Sequence, residues 1–599
     1  MSPSIPNTPH RFSAEELEAL RDRYRSERDR RIRPDGATQY RRAAGEFGYY
    51  ATDPYTERTE REPVRDRVEA TVIGGGFGGL LSGAKLRDAG VTSLRMIDEA
   101  GDFGGTWYWN RYPGIHCDIE ATVYMPLLEE VGHVPQWRYA PGEEIRQHCI
   151  NIANKYDLYD DTMFHTRVTE LTWDDEAAEW LVKTDRGDEF TSRYVVISSG
   201  TLTQPKLPGI PGIEGYRGHT FHTSRWDYGY TGGDQTGGLT GLAGKRVAVV
   251  GTGATGIQVI PHVAEAAEQL FVFQRTPSTV DFRGNRPTDQ SVLDSVRPGW
   301  QRERMENFLN LVTGGHVDTD MIADGWTATA KLQRQLLTGT VDPTISDEER
   351  EYHDEIADFR KMDEIRARVA SIVEDPETAA KLQPWYRYMC KRPTFSDFYL
   401  PAFNRPNVTL VDTADTGGIT RMTETGIVVG EQEYPVDCVI FATGFEVGIS
   451  GVLSGTLPVT GRGGLPLLGH WARGPRTLHG FYSHGFPNLF HLGSMQNAAA
   501  VNFVHVLQEQ AIHIGAVVAE ANSRGAKRIE PTAEAEQAWC DTIAATAPKQ
   551  YAFQAECTPG YYNGEGNPRQ VSFSFGPGPV VFHELLRNWR ADNVDEVLS

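Results

Sequence analysis

The chain has 599 residues, which is too long for one hydrophobic core and predicts two or three domains. A hydrophobic content of 39% and a charged content of 23% are typical of an ordinary globular protein. The net charge of −22 argues against nucleic acid or an anionic membrane as the main partner, and six scattered cysteines without a Cys-x-x-Cys pair argue against zinc-knuckle and dithiol-redox sites.

The first 66 residues are strongly charged and precede the first predicted strand. Ser13 and Glu16 have the spacing of a capping box, and Leu17 and Leu20 continue at helical intervals. We therefore expect an amphipathic helix and an extended arm that packs over the main body. No apolar run approaches the roughly 20 residues of a membrane span. A signal peptide is not recognisable, so the cytoplasm is the expected location.

A first nucleotide-binding unit is predicted directly after this arm. The β-branched run 68–73 ends in the glycine fingerprint 74–79, and a helical pattern then leads to the strand Leu94–Ile97 and to Asp98. Glycines in such a turn let the backbone approach a pyrophosphate at the helix N-terminus, and the acid accepts hydrogen bonds from a ribose hydroxyl. The predicted contacts are Gly74, Gly76, Gly79 and Asp98.

A stretch rich in glycine and aromatic residues follows at 104–118. Its pattern is Gly-Gly-x-Trp-x4-Tyr-Pro-Gly-x3-Asp, which runs from Gly104 to Asp118. The glycines beside Trp107 let the backbone approach a flavin, and the aromatic side chains exclude water. The alternative interpretation is an aromatic core loop in which Asp118 caps a helix.

A linker, residues 216–244, separates this unit from a second glycine fingerprint. It begins YRGHTFHTSRWD, with the spacing aromatic-x-Gly-x3-His-x3-Trp-Asp. A segment between two nucleotide units is well placed to contact both ligands, whereas a plain surface loop is the alternative. The residues that carry the pattern are Gly218, His222, Trp226 and Asp227.

The second unit has a different residue at the point that selects the nucleotide. Its fingerprint occupies 251–256, and the next strand, Gln269–Gln274, ends in Arg275 rather than in an acid. An acid favours a free ribose 2′-hydroxyl, whereas a guanidinium can bind a 2′-phosphate bidentately. The first unit is therefore predicted to bind FAD and the second NADPH. The contacts predicted in the second unit are Thr252, Gly253, Ala254, Thr255, Gly256, Gln258, Arg275 and Thr276.

Three further segments complete the pattern. Residues 286–385 are polar and helical in pattern, which predicts a helical insertion in the second unit. Lys391 and Arg392 follow within MCKRP, and the run CVIFATGF at 438–445 predicts a strand and turn that return the chain to the first unit. Near the C-terminus, CTPGYYNGEG contains Tyr561.

These motifs, in this order over roughly residues 68–585, resemble those of the type I Baeyer–Villiger monooxygenases. The resemblance implies an α/β fold with two Rossmann-like domains for FAD and NADP. It also implies that one oxygen atom of O2 is inserted beside a ketone carbonyl to give an ester or lactone, through reduction of FAD by NADPH and a C4a-peroxyflavin. Further flavin contacts implied by the family are Thr106, Trp107, Asp118, Tyr124 and Val168.

The same resemblance gives roles to the charged residues. Arg392 and Asp118 are the expected catalytic residues, because an arginine keeps its charge in a protein and can stabilise an anionic peroxide. Asp118 would orient Arg392, and Lys391 would assist Arg275 at the NADP phosphate. No metal site is expected.

The domain prediction follows from these positions. It comprises an N-terminal extension at 1–66, a first part of the FAD-binding domain at 67–215, the linker at 216–244, an NADP-binding domain at 245–395, and a second part of the FAD-binding domain with the substrate-pocket segment at 396–599.

Three alternative functions agree less well with these motifs. An N- or S-hydroxylating flavin monooxygenase shares both nucleotide folds but usually lacks the Trp-Asp end of the linker pattern. A pyridine nucleotide–disulfide reductase is excluded by the missing Cys-x-x-Cys. A catalytically idle dinucleotide-binding sensor would tolerate the loss of Arg392 and Asp118, yet both positions are filled.

The expected substrate comes from the extended subgroup of the family. The N-terminal extension, the Gly-rich segment after the linker and the CTPGYYNGEG motif resemble members that accept large ring, steroid or terpenoid ketones. Among these, the chain is similar to the lactone-forming enzymes of pentalenolactone-type sesquiterpenoid antibiotic pathways. Tyr561 stands where better-known members have Trp, which favours a bulky, rigid ketone.

Overall fold

Two largely parallel sheets organise the chain. The computed structural model describes residues 12–315, 317–328, 346–446, 456–545, 547–568 and 574–599. Each sheet carries one of the two glycine turns at the carboxyl end of a central strand, which is where nucleotides bind in open α/β sheets. The predicted fold of two Rossmann-like units is therefore confirmed.

The first sheet combines a parallel core with an antiparallel extension. Its five parallel strands are, in spatial order, Leu489–His491, Glu189–Ile197, Arg67–Ile73, Leu94–Ile97 and Thr162–Met163. Glu189–Ile197 also pairs antiparallel with Glu179–Thr184, which leads on to Val168–Asp174 and Val459–Thr460. Ala70 and Val72 are fully buried, because they pack in one hydrophobic cluster with Leu80 and Ala84 of the helix Phe77–Asp88.

The second sheet is parallel throughout. Its strands are, in spatial order, Val408–Asp412, Gln269–Gln274, Arg246–Val250, Cys438–Phe441 and His219–His222. The boundary expected at 396 is therefore too early, because two strands beyond it belong to this sheet. The linker is also more than a connector, since its strand forms the edge of the sheet.

Smaller strand pairs complete the β-structure. Tyr40–Arg42 pairs with Lys206–Pro208, Val280–Asp281 pairs with Thr394–Phe395, and Arg421–Met422, Gly426–Val429 and Gln432–Pro435 form a meander.

The longer α-helices pack around the sheets and form the insertion. They are Ala14–Asp29, Phe77–Asp88, Gly142–Lys155, Ala254–Ala266, Trp300–Val312, Asp347–Ile372, Pro376–Leu382, Phe503–Arg524, Ala533–Ala544, Ala547–Glu556 and Pro579–Asp592. Across the described ranges, none of the helices is long and apolar enough to cross a bilayer.

The N-terminal extension begins as predicted. Ser13 and Glu16 form the reciprocal hydrogen bonds of a capping box at the start of Ala14–Asp29. Tyr24 on this helix meets Phe359 of the insertion edge to face, with ring centroids 5.3 Å apart. The extension then crosses toward the second nucleotide unit, where Arg31 Nε donates to the carbonyl oxygen of Arg275 at 2.9 Å.

Candidate functional site

The first glycine turn has the close packing that a pyrophosphate site requires. Gly74 has a φ of +118°, and a Cβ added at Gly79 would lie 1.7 Å from the carbonyl oxygen of Gly74. Only glycine fits such contacts. The carboxylate of Asp98 accepts the backbone N–H of Gly75. Asp98 thus stabilises the conformation of the glycine turn. Burial raises the pKa of its carboxyl group.

The aromatic stretch lies directly against this turn. A Cβ added at Gly105 would lie 2.6 Å from the Cα of Gly76, and Gly105 has a φ of +53°. Helix Thr106–Trp109 starts at the next residue. Trp107 Nε1 donates to the hydroxyl of Tyr124 at 3.0 Å. Three of the predicted flavin contacts, Thr106, Trp107 and Tyr124, therefore lie beside the first glycine turn. Val168 is buried at the start of its strand in the same sheet.

The second glycine turn repeats the geometry of the first. Gly251 has a φ of +108°, and a Cβ at Gly256 would lie 2.3 Å from the Gly251 carbonyl oxygen. A Cβ at Gly253 would meet nothing within 4 Å, so the backbone there faces open space. Thr252 Oγ1 donates to the Thr276 carbonyl oxygen at 3.2 Å, which joins the turn to the end of the neighbouring strand.

Gln258 connects this second turn to the aromatic stretch. Ala254 and Thr255 open the helix Ala254–Ala266 that carries it. The side chain of Gln258 accepts the hydroxyl of Tyr112 at 2.9 Å and donates to the carbonyl oxygen of His116 at 3.0 Å. The two predicted cofactor regions are thus in direct hydrogen-bonded contact.

The linker is anchored in the second sheet. His222 ends the edge strand and is fully buried. Burial lowers its pKa to about 3, with Arg225 acting in the same direction, so the imidazole is neutral at physiological pH. A Cβ at Gly218 would lie 2.0 Å from the hydroxyl oxygen of Tyr216, so any other residue at this position would have to displace the Tyr216 ring.

The linker also reaches the aromatic stretch of the first unit. The guanidinium carbon of Arg225 lies 3.7 Å from the ring centroid of Trp109. Trp226 is buried and donates to Thr231 Oγ1 at 3.0 Å. Asp227 contacts His219 Nε2 at 2.9 Å. The segment therefore touches both units, although sequence reasoning did not identify Arg225, whose signal was only its position inside the motif.

Arg392 and Asp118 form a bidentate ion pair 274 residues apart in sequence. Arg392 Nη2 donates to one carboxylate oxygen at 2.7 Å, and Nη1 donates to the other. Burial alone would lower the pKa of Arg392, but the carboxylate outweighs it and the pKa rises. The Arg392 side chain keeps 35% of its surface exposed, so a fixed positive charge is partly accessible from solvent.

The helical insertion packs an aromatic residue against the ion pair of Arg392 and Asp118. Trp326 Nε1 donates to the backbone oxygen of Asp118 at 3.0 Å, and its ring lies 5.7 Å from the Arg392 guanidinium. Tyr561 and Tyr562 are also close enough to influence the pKa of Arg392. The predicted pocket residue Tyr561 is 42% exposed. The helical insertion and the C-terminal motif thus meet at the arginine.

The predicted phosphate residues form a second charged cluster. Arg275 Nη2 lies 2.7 Å from Glu565, a residue that sequence reasoning missed. Burial, followed by the positive charges of Arg275 and Lys206, lowers the pKa of Lys391 to about 8. The Thr276 hydroxyl is buried and lacks a hydrogen-bond partner within the described residues. The single carboxylate of Glu565 is therefore influenced by three cationic side chains from three segments, Arg275, Lys206 and Lys391.

The structure pairs two cysteines that looked unrelated in sequence. Cys390 and Cys557 form a disulfide across 167 residues, a pairing that the scattered positions of the six cysteines did not indicate. The bond joins the MCKRP loop to the CTPGYYNGEG segment. The remaining four cysteines are free.

Comparisons with known proteins agree with this geometry. Residues 68–289 match the family model described as pyridine nucleotide-disulphide oxidoreductase. The matched range contains Cys117 and Cys149, which are both buried and unpaired. The match therefore reflects the shared dinucleotide-binding fold rather than dithiol chemistry.

Two curated relatives and one solved structure cover almost the whole chain. The chain is 60% identical to a "Baeyer-Villiger monooxygenase" of Streptomyces coelicolor, over 98% of each protein. It is 51% identical to "Pentalenolactone D synthase" of Streptomyces arenae, over 96% of this chain and 98% of the relative. It superposes on the "Polycyclic Ketone Monooxygenase" of the fungus Thermothelomyces thermophila with a TM-score of 0.90 at 39% identity, over 98% and 99% of the two chains.

Proposed function

Because this chain belongs to the Baeyer–Villiger monooxygenases, FAD- and NADPH-dependent enzymes that insert oxygen beside a ketone carbonyl, we propose that its substrate is a bulky cyclic ketone of the sesquiterpenoid type. The observation that carries this proposal is the 51% identity to a pentalenolactone D synthase over nearly the full length. The similarity to a polycyclic ketone monooxygenase is consistent with it. O2 is the proposed oxygen donor.

The residues of both units fit their cofactors. Gly76 and Gly105 bring two backbone segments together where a side chain could not be accommodated, and this supports FAD at the first turn. The open backbone at Gly253 supports a pyrophosphate at the second turn. The cationic cluster with the unpartnered Thr276 hydroxyl supports the 2′-phosphate of NADP there. When bound, the reduced flavin supplies the electrons that activate O2.

The proposed role of Arg392 is to stabilise negative charge that develops on oxygen during insertion. Its guanidinium keeps its proton, and its position is fixed before reaction by the two hydrogen bonds to Asp118. Asp118 is in turn held through its backbone by Trp326. Trp326 places an aromatic ring beside the charge, and Tyr561 and Tyr562 contribute to the raised pKa of Arg392.

The proposed role of Arg275, Thr276 and Lys391 is to hold the 2′-phosphate. Arg275 can donate two hydrogen bonds to one phosphate group, whereas Lys391 acts as a point charge. The aromatic stretch and the second turn are joined through Gln258. We infer that this contact fixes the distance between the two cofactors.

The low pKa of Lys391 predicts a pH-dependent affinity for NADP+. A bound phosphate dianion raises the pKa of a neighbouring ammonium group, so binding is strongest when Lys391 is already protonated. The affinity for NADP+ should be highest below pH about 8, where Lys391 is protonated, and should fall by up to tenfold per pH unit above it. Lys206, whose pKa is lowered mainly by burial, acts in the same direction.

Equilibrium titration of the oxidised enzyme at several values between about pH 7 and about pH 9.5 measures this dependence. NAD+ is the matched control ligand, because it lacks the 2′-phosphate. A dissociation constant for NADP+ that stays constant across this range would contradict the placement of the phosphate beside Lys391.

The substrate proposal is tested with a panel of ketones. Tyr561 offers a smaller ring than Trp at the pocket wall, and each CH2 of ligand buried adds about 0.8 kcal/mol to binding. We therefore expect a higher kcat/KM for a tricyclic sesquiterpenoid ketone than for cyclohexanone or phenylacetone. Ketone-dependent NADPH oxidation with product mass provides the measurement. An equal or higher kcat/KM for the small ketones would refute the substrate class but not the reaction.

A further inference from the structure

The carboxylate of Glu565 lies at the position proposed for the 2′-phosphate. Its Oε2 is 2.7 Å from Arg275 Nη2, and its Oε1 is 3.8 Å from Lys206 Nζ. The hydroxyl of Tyr40, in the N-terminal extension, donates to the same Oε1 at 3.2 Å. The Glu565 side chain is only 5% exposed. A carboxylate is thus held deep inside a cluster of cations.

The cluster has more positive than negative charge. Burial raises the pKa of Glu565, but Arg275, Lys206 and Lys391 outweigh burial and lower it. Arg31, from the extension, also lies near Lys391, but its charge is paired with that of Glu27. One carboxylate therefore faces several cations, and a phosphate dianion would balance their charge better.

Both terminal nitrogens of Arg275 already have partners. Nη1 donates to Gln39 Oε1 at 2.7 Å, and Nη2 donates to Glu565. Each terminal nitrogen carries two N–H groups, so a phosphate can either use the remaining donors beside the carboxylate or replace the present partners. Glu565 also repels a phosphate because the two carry like charge. The carboxylate and the phosphate therefore compete for one site.

The backbone around Glu565 shows that its position is imposed. Its φ is +61°, between Gly564 at +59° and Gly566 at +90°. A left-handed conformation disfavours any residue with a Cβ, so the charge contacts hold the glutamate there. The backbone N–H of Glu565 donates to the Gly560 carbonyl oxygen at 2.8 Å and closes the turn 560–566.

The same turn carries the pocket residue Tyr561. Asn563 Oδ1 accepts the backbone N–H groups of Gly560 and Gly566 at 3.0 and 3.1 Å. The disulfide at Cys557 fixes the start of the segment next to Lys391. Because Cys557 fixes the start of this segment, a displacement of Glu565 would shift the rest of the turn, including Tyr561.

We propose that Glu565 is an internal substitute for the 2′-phosphate, which NADP(H) displaces on binding. The displaced carboxylate takes the turn 560–566 with it, so nucleotide occupancy is communicated to Tyr561 beside Arg392. This inference rests on the proposed placement of the 2′-phosphate at Arg275. It also gives the N-terminal extension a function, because Gln39 and Tyr40 help to hold the substitute in place.

The test measures ligand binding rather than turnover. Adenosine 2′,5′-bisphosphate carries the 2′-phosphate without a nicotinamide, and adenosine 5′-monophosphate lacks it. Both are titrated calorimetrically into the FAD-loaded full-length protein. If Glu565 fills the site nine-tenths of the time, Glu565→Gln should tighten the bisphosphate about tenfold and leave the monophosphate unchanged. Unchanged or weaker bisphosphate binding by this variant would overturn the proposal.

Two further variants support the interpretation. Glu530→Gln removes another poorly exposed carboxylate, paired with Arg462 at 3.1 Å, and should change neither affinity. Tyr40→Phe removes a hydrogen bond to Glu565 but keeps its charge, and should tighten the bisphosphate by about two- to threefold. If Glu565→Gln does not fold, the Tyr40→Phe result decides, and wild-type affinity in that variant refutes the displacement.

Hydrogen exchange tests the movement of the turn. NADP+ should change the exchange of the amides of Glu565 and Gly566 in the wild-type protein, whereas NAD+ should not. Identical exchange with both nucleotides would overturn the coupling to Tyr561. Arg275→Ala distinguishes the placement of the 2′-phosphate from the displacement of Glu565. Unchanged bisphosphate affinity in that variant would show that the phosphate does not bind at Arg275. If that affinity falls but Glu565→Gln shows no gain, only the displacement is wrong.

Discussion

Replacing Arg392 with alanine is expected to lower the rate of ester formation by about two to three orders of magnitude while flavin reduction by NADPH continues. The guanidinium is a partly exposed fixed charge, and its two hydrogen bonds to Asp118 hold it before the substrate arrives. Loss of one preorganised charge-stabilising group typically lowers kcat by about 10²–10³-fold. Stopped-flow absorbance of the flavin follows reduction, and product mass follows oxygen insertion.

A matched control distinguishes this role from a structural ion pair. Arg87 also pairs with a carboxylate, that of Asp161, and its side chain is 22% exposed. Arg87→Ala should lose some stability yet keep ester formation. Asp118→Asn should retain the positive charge but lose its orientation, and therefore give an intermediate rate. Undiminished ester formation by the Arg392 variant would show that the charge is not needed.

The glycine turns and the charged motifs could be predicted because their physical requirements are local. Gly74, Gly79 and Gly251 sit where a Cβ would collide with backbone or where φ is positive. Arg275 was identifiable because it directly follows a strand whose end contacts the ribose. In each case a few neighbouring residues determine both the conformation and the chemistry.

The remaining features depend on contacts between distant segments. Glu565 looked like part of a pocket motif, yet it meets Arg275 across 290 residues. Cys390 and Cys557 carry no spacing signal for a disulfide. The predicted domain boundary at 396 placed Val408–Asp412 in the FAD-binding unit, whereas this strand pairs within the second sheet, because a short apolar run does not specify its neighbour. Such pairings follow from packing of the whole chain rather than from local pattern.

The role of the N-terminal extension could not be predicted for the same reason. Its capping box and helix were visible in the sequence, and both are present. The contacts of Arg31, Gln39 and Tyr40 with the Arg275 cluster were not visible. They arise because the extension crosses the second unit and pairs with Lys206–Pro208. A charged arm thus becomes part of the site proposed for the 2′-phosphate.

Arg275→Ala is expected to weaken NADP+ binding by about ten- to a hundredfold and to leave NAD+ binding nearly unchanged. A bidentate contact between a guanidinium and a phosphate contributes about 1.5–3 kcal/mol, which corresponds to that range. Both dissociation constants are measured by equilibrium titration of the oxidised enzyme, and the KM for NADPH should rise in parallel. The NADP+ affinity of Arg275→Lys should lie between those of the wild-type protein and Arg275→Ala, because an ammonium group keeps the charge but not the paired donors.

The control for this prediction lies in the same sheet. Arg246 begins the central strand and pairs with Asp437 at 2.8 Å, away from the turn. Arg246→Ala should leave the dissociation constants of both nucleotides unchanged. The Arg275 variant also leaves the buried Glu565 carboxylate without its nearest cation, so a lower melting temperature is expected. NADP+ binding that is unaltered in a folded Arg275→Ala protein would mean that the 2′-phosphate binds elsewhere, and the preference for NADPH would then need another source.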